Sequence, residues 1–570
     1  MKSPALLFVV ALLSAPPAGA EGTAGPYLAG RVASMSADYQ AAATYFNQSL
    51  VADPGNSALQ DSAMLAYLGL GDFDRALVIA RTLDAEGYDS GLADIAVLAS
   101  LARSGDFAAA LAALDEGRGI GPLIDGYFRA WVTLGNGQMS DASAAFDALI
   151  AESGKASFAL FQKALALALV GDFEGADDIL SGREAGPINA TRRSVIAHAQ
   201  ILSQLDRGSA GAELIDKTFG SGSRDPVIAQ LRADLVAGKT VPFDLVRSPT
   251  DGIAEVFLAV GSALAAEADV ADPASVTDTL LFARAAAYLR PDLTDAVLLA
   301  ATMLQAQGQQ ALAIEAYASI PQDSHDRLEA ELGRADALIE DGRTDAAIEV
   351  LERLTKDNPD QRMVWASLGD VMRRNERYGE AVAAYDRGIE LLKGDDRGNW
   401  GLYYARGISH ERLKAWDKAE PDFRKALSLS PDQPQVLNYL GYSYLEMKQN
   451  LDEALGMIEK AARARPDDGA ISDSLGWAFY RLGRYGEAEA EMERAIQLMP
   501  ADPVVNDHLG DVYWAVGRKR EAEFQWKRAL SFKPETEEEA DRIRRKLEVG
   551  LDAVLKEEGA DPLAVTTNGG

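Results

Sequence analysis

The sequence contains no cysteine. No disulfide can brace it, even in an oxidising compartment, and there is no cysteine to carry an N-terminal lipid. Histidine is nearly as scarce, with only His198, His325, His410 and His508 scattered along 570 residues. Without thiolates, those four offer no zinc set at the usual spacings. After the first 20 residues no apolar run reaches 18, so no transmembrane helix is expected. Positive charge is in deficit, with 56 lysines and arginines against 87 aspartates and glutamates, a formal charge of −31. Nucleic acid and anionic membrane surfaces draw their affinity from basic residues, so neither is expected as a partner. Aromatics make up only 7 %, and the abundance of alanine suits tightly packed helices better than sheets.

Catalytic signatures are missing too. There is no G-x-S-x-G elbow. The run Ala233 to Thr240 meets a relaxed phosphate-loop pattern, but a true phosphate loop follows a strand and opens a helix. Here the run closes a helical stretch and Val241-Pro242 follows. It reads as a helix C-terminus, with Gly238 as cap and Lys239 near the negative end of the dipole. His410-Glu411 begins like the helical zinc-protease motif, yet the second ligand position holds Lys414. No catalytic, cofactor-binding or metal residue is therefore expected, and the chain is not expected to be an enzyme.

What the chain has in abundance is a repeat. Three units open Leu437-x-x-Leu440-Gly441-x-x-Tyr444, Ser472-x-x-Leu475-Gly476-x-x-Phe479 and Asn506-x-x-Leu509-Gly510-x-x-Tyr513. A small-large-small series and a proline follow each: Ala454, Ile458, Ala461, Pro466; Ala488, Met492, Ala495, Pro500; Ala522, Trp526, Ala529, Pro534. The glycines lie 35 and 34 residues apart. Helical spacing runs through each half of a unit and is interrupted at a Gly-rich turn such as Gly483 to Gly486. The glycine and alanine positions are small because two helices must approach closely there, and the proline stops the second helix. One hairpin cannot cover its own apolar face, so such units make sense only in a stack.

This period and residue order resemble the tetratricopeptide repeat, a helix-turn-helix unit that stacks into a right-handed superhelix. The resemblance implies an all-α superhelical solenoid, of about fifteen hairpin units along the whole chain. Ala29-Gly30, Ala42, Phe46, Ser49 and Pro54 place the first hairpin at residues 26–54. The turns Gly71-Asp72-Phe73, Gly105-Asp106-Phe107 and Gly171-Asp172-Phe173 mark degenerate units, and residues 191–238 read as a pair of helices plus a lone one. Pro242 and Pro249 break the rhythm, so 239–252 is expected to join an N-terminal superhelix (21–238) to a C-terminal one (253–536). Residues 537–558 read as one capping helix, acidic first and basic later, with Arg542 to Lys546 on a solvated face. The tail 559–570 is expected to be disordered. At the other end, Lys2, the apolar Ala5 to Ala15, Pro16-Pro17 and Ala18-Gly19-Ala20 fit a cleavable signal peptide (1–20), with a mature start at Glu21 and a periplasmic location.

In this repeat family the first helix of each hairpin lines the concave groove. Carried onto matching positions, that rule makes Asn438, Tyr439, Tyr442, Asp473, Trp477, Tyr480, Arg481, Asp507, Asp511 and Trp514 the candidate protein-binding residues. Trp477 and Trp514 have a second reading, as packing between neighbouring units. The groove is acidic, so the family's lysine and asparagine clamp for a C-terminal carboxylate is not carried over. The runs Asp473 to Gly483 and Asn506 to Trp514 are similar to periplasmic tetratricopeptide adaptors of C-terminal processing proteases. Those adaptors are lipoproteins, and this chain has no cysteine to lipidate. The resemblance implies a periplasmic scaffold or adaptor that binds proteins or peptides and feeds an envelope protease. The alternative is an accessory factor of envelope assembly or polysaccharide export.

Overall fold

The computed structural model describes residues 24–560 and 563, apart from 123, 153–155, 184–185, 187, 224, 268–272 and 395. The expected signal segment, 1–20, lies outside the described residues, as does the tail beyond Gly559, Ala560 and Leu563. Among the described residues every regular element is helical. The first hairpins are α1 (Ala24–Met35) with α2 (Tyr39–Ala52), α3 (Ser57–Leu70) with α4 (Phe73–Glu86), and α5 (Gly91–Ser104) with α6 (Phe107–Asp115). Then come α7 (Asp125–Gly135), α8 (Met139–Ala151), α9 (Ala156–Leu169), α10 (Phe173–Leu180), α11 (Arg192–Gln204), α12 (Gly208–Phe219) and the lone α13 (Pro226–Val236). Two longer helices, α14 (Pro249–Glu267) and α15 (Pro273–Leu289), precede α16 (Thr294–Ala306), α17 (Gln310–Ala318), α18 (Arg327–Glu340) and α19 (Thr344–Asp357). Five hairpins follow: α20 (Arg362–Arg374) with α21 (Tyr378–Glu390), α22 (Trp400–Arg412) with α23 (Trp416–Leu429), and α24 (Pro434–Glu446) with α25 (Leu451–Ala464). The last are α26 (Gly469–Arg481) with α27 (Tyr485–Leu498) and α28 (Pro503–Ala515) with α29 (Lys519–Ser531), before α30 (Glu537–Val549) and α31 (Leu551–Glu557). The fold is all-α, a stack of tetratricopeptide-type hairpins.

The repeat residues act as their spacing requires. A Cβ on Gly476 would stand 2.7 Å from Met492 Cγ, and one on Gly510 would stand 2.4 Å from the Trp526 ring. Only glycine lets these hairpins close. Met492 and Trp526 are fully buried in return, each contributing about 1.5–3 kcal/mol through removal of its side chain from water. The Gly-Asp-Phe turns combine two devices. Gly71, Gly105 and Gly171 take positive φ and end one helix. Asp72, Asp106 and Asp172 then cap the next, their carboxylates accepting from Arg75, Ala109 and Gly175 N–H. Gly238 likewise has positive φ just beyond α13, and Lys239 bonds back to Asp234 at 2.6 Å, as a helix end should.

The chain divides into two compact units at Val350/Leu351. Residues 239–252, expected as the joint, sit inside the first unit. Val246 is buried, Val241 N–H donates to Ser203 Oγ, and Arg290 Nη1 donates to the Leu245 carbonyl. The segment is a crossover that returns the chain to its own start. From there α14 packs against α5, α7 and α9, and α15 against α3 and α5, all first helices of their hairpins. Gly252 admits the Trp131 ring, which a Cβ would meet at 2.4 Å. Thr250 donates to the Ala102 carbonyl, Tyr288 stacks on Phe73 at 4.2 Å, and Tyr39 donates to Gln307. Within the first unit, the face that its early hairpins turn inward is thus largely covered by its own chain, with a cleft of about 430 Å³ left between α3, α5 and α15.

The expected single capping helix is two. Gly550, at φ +82°, breaks it into α30 and α31. A Cβ there would lie 2.6 Å from Trp514, so the break seats α31 against α28.

Replacing Gly476 by leucine should overpack the α26–α27 hairpin and cost about 1–3 kcal/mol. Each repeat touches mainly its neighbours, so hydrogen exchange should quicken in α24–α29 and stay unchanged in α1–α6. Uniform loosening of the chain would contradict this.

Candidate functional site

The first helices of the second unit carry the ten candidate residues, and the structure divides them into two groups. Asn438, Tyr439, Tyr442 and Asp473 line an open cleft of about 450 Å³ whose other walls include Glu411, Arg412, Glu446 and Asp502. Pro434 starts α24, and Asp468 and Asp502 cap α26 and α28 through pairs of N–H groups. These caps fix where each first helix begins, and hence which residue faces the cleft.

The cleft wall is held by hydrogen bonds that cross from one repeat to the next. Tyr439 donates to Glu411 Oε2 at 2.9 Å and meets Tyr404 edge-on at 5.9 Å. Trp477 Nε1 donates to Glu446 Oε1 at 2.9 Å, and Arg481 approaches the same oxygen at 3.4 Å. Burial raises the Tyr442 hydroxyl well above its usual range, and the charges of Glu446 and Asp473 raise it further. The tyrosine therefore stays a neutral donor and acceptor at any working pH.

The other six candidates are engaged by the protein itself. Trp477 and Tyr480 are buried and stacked on each other at 4.7 Å, and Trp477 also stacks on His508 at 4.0 Å. Trp514 leans on Trp526 and donates to Asp552 of α31 at 2.9 Å. Both tryptophans thus occupy the packing position between neighbouring elements. Arg481 is spent on Glu446. Asp507 and Asp511, expected to face a partner, instead face Lys546 of α30, whose ammonium lies 2.7–2.8 Å from all four of their oxygens. Lys546, expected on a solvated cap face, has no exposed side-chain surface. Its neighbours Arg544 and Arg545 do face water, paired with Glu537 and Glu557.

His508 and Lys546 were the functional partners that residue-type reasoning passed over. Each lies one repeat beyond the carboxylate it serves, 35 residues after Asp473 and after Asp511 respectively, so the period itself was the signal. Asp473 receives His508 Nδ1 at 3.0 Å. Burial works against the imidazolium, but the charge and hydrogen bond of Asp473, with Asp507 and Asp511 behind it, raise the His508 pKa above its ordinary value. Burial likewise pushes the Asp511 carboxyl up, even with Lys546 beside it.

Against known proteins, models of the tetratricopeptide repeat match residues 332–396, 400–433 and 440–503. The TPR repeat-containing protein PA4667 of Pseudomonas aeruginosa is 31 % identical over 188 residues, covering 33 % of this chain and 31 % of that one. The cytochrome c-type biogenesis protein CycH of Rhizobium meliloti is 33 % identical over 111 residues, 20 % of this chain and 29 % of that one. The chain thus spans under a third of the length of these curated relatives. Among solved structures, the APC/C hetero-tetramer Cut9–Hcn1 aligns with a TM-score of 0.40 at 16 % identity, covering 93 % of this chain and 96 % of that one. YrrB, described as a TPR protein with an unusual peptide-binding site, aligns at 0.27 and 18 %, covering 33 % and 95 %. The chain carries tetratricopeptide repeats, and the models locate them at 332–503.

Two outcomes check the electrostatics. Lys546→Ala leaves the buried Asp511 and part-buried Asp507 with only Arg542, 3.8–3.9 Å away, and should cost about 3–5 kcal/mol, seen as early melting of the last repeats. His508 has a higher pKa folded than unfolded, so it stabilises fully below about pH 6.5 and its contribution falls as pH rises through the native value. His508→Gln should flatten the decline in stability above pH 6.5, measured by urea unfolding across pH 5–9.

Proposed function

We propose that the protein is an exported scaffold that binds a protein partner in the cleft formed by α22, α24, α26 and the start of α28. The observation that carries this reading is the difference between first-helix faces. In the first unit α14 and α15 cover most of that face, leaving a cleft of about 430 Å³ beside Asp61, Ser90 and Phe282, and at the C-terminal end Lys546 and Asp552 take up its polar groups. Between Glu411 and Asp502 it stays open, with tyrosines, carboxylates and one arginine around a space of about 450 Å³. Aromatic and polar groups converging on a preformed concavity are the usual anatomy of a peptide site. Tetratricopeptide repeats mediate protein–protein contacts, and the described residues offer no helix long and apolar enough to cross a membrane.

Export rests on the segment from Lys2 to Ala20, and in its narrower form the reading has the scaffold delivering clients to an envelope protease. The second reading, an assembly factor of the envelope, draws support from the partial likeness to CycH, whose name places it in cytochrome c biogenesis. Affinity capture from envelope extract separates the two by what is retained, a protease or an assembly complex. Tyr442→Ala should weaken that capture by at least about 2 kcal/mol if Tyr442 is a hot spot, with the helical content retained at the working temperature. A folded Tyr442→Ala protein that retains its partner as well as the wild type would remove the cleft from consideration. Recovery of unprocessed chain from the cytoplasm would remove export.

A further inference from the structure

Along the first helices, equivalent positions can be read from the repeat glycines. Three residues before Gly441, Gly476 and Gly510 stand Asn438, Asp473 and Asp507. Two residues before them stand Tyr439, Ser474 and His508. In two of these three rungs the acceptor takes a cationic or cation-forming donor from the next first helix. Asp473 takes His508 at 3.0 Å, and Asp507 takes Lys546 at 2.8 Å. The rung at Asn438 breaks the series. The residue that occupies the donor position opposite it is Ser474, whose hydroxyl is turned back onto the Ala470 carbonyl at 2.9 Å. Asn438 Oδ1 is closed off from solvent and accepts no hydrogen bond from the protein.

This unfilled acceptor lies in the wall of the open cleft, beside Tyr442 and Asp473. An amide oxygen buried without a partner is costly, and a turn of the Asn438 amide toward the cleft would let a ligand's donor relieve that cost. The lining carries Glu411, Glu446, Asp473 and Asp502 against Arg412, and with Arg481 on Glu446 and His508 on Asp473 the acids keep a small excess. The next rungs demonstrate the donor chemistry that this architecture accommodates, an imidazole stacked on Trp477 and a fully enclosed ammonium.

We propose that the partner completes the rung: an extended segment lies in the cleft and places a lysine or arginine side chain against Asn438. The inference rests on the reading of the cleft as the binding face, and gives it a specificity. Asn438 anchors the cationic head, Tyr442 flanks its stem, and the excess of carboxylates around the cleft favours it over neutral side chains. The long acidic chain thereby recognises basic clients through one position left open in its own ladder.

The test is selection of a displayed library of random 12-residue peptides on the immobilised full chain, followed by titration of a selected peptide. Enriched peptides should share a lysine or arginine at one fixed position. Replacing that residue by norleucine should weaken binding to wild type at least tenfold and to Asn438→Leu less than twofold. Ser474→His supplies the missing donor internally, in the manner of His508, and should lower the affinity of the basic peptide at least tenfold while leaving the norleucine peptide unaffected. Should Ser474→His fail to fold, the Asn438→Leu comparison decides alone. Enrichment without a fixed basic position, or equal norleucine losses in wild type and Asn438→Leu, overturns the specificity and leaves the cleft reading standing. Absence of any enriched peptide, or enriched peptides indifferent to Tyr442→Ala, overturns both.

Discussion

A helix hairpin can cover one face of each of its helices with the other, and the remaining faces must be covered from outside. That constraint governs this protein. Gly441, Gly476 and Gly510 let the two helices of a hairpin approach until Ile458, Met492 and Trp526 are enclosed. The first-helix faces left over carry polar groups as well as apolar ones, and each polar group taken from water needs a partner from the adjoining repeat. Asp473 with His508, Glu446 with Trp477, and Asp507 and Asp511 with Lys546 are instances of that one requirement. Stacking therefore joins the repeats through matched donors and acceptors as well as through shape.

The chain meets the requirement differently along its length. In the first unit it doubles back and lays α14 and α15 across the first helices, with Gly252 and Trp131 setting the closest approach. At the C-terminus α30 contributes a buried ammonium, and α31, turned by Gly550, supplies the carboxylate for Trp514. Between α22 and the start of α28 neither device is present among the described residues, and the face stays concave and open. Binding capacity is on this account a local failure to self-cover, set among regions where the chain supplies most of its own cover and leaves a cleft of about 430 Å³ between α3, α5 and α15.

The repeat was legible in the sequence because the hairpin's demands fall on single residues at fixed spacing: a glycine, a large residue sixteen or so further on, and a proline. Gly-Asp-Phe turns and the lone α13 were legible for the same reason. The crossover at 239–252 was harder to place, since prolines there look alike whether the segment bridges two bodies or re-enters one. Its placement depends on Thr250 and Gly252 meeting Ala102 and Trp131, more than a hundred positions earlier. The candidate site was half legible. Helical register picked out the residues on the right face, but not which were already spoken for. Lys546 looked solvated because it sits in a basic run, and only the rung spacing back to Asp511 betrays its buried role.

The central claim is that the partner meets the protein at the α22–α26 cleft and not on the outer face of the first unit. Site-specific photocrosslinking in cells tests it most directly, with a photoreactive side chain placed at Arg412 on the cleft rim or at Arg81 on the outer side of α4. A discrete crosslinked adduct from position 412, absent from position 81 and lost on adding Tyr442→Ala, is the predicted result. An adduct formed equally from both positions, or only from position 81, would contradict the account.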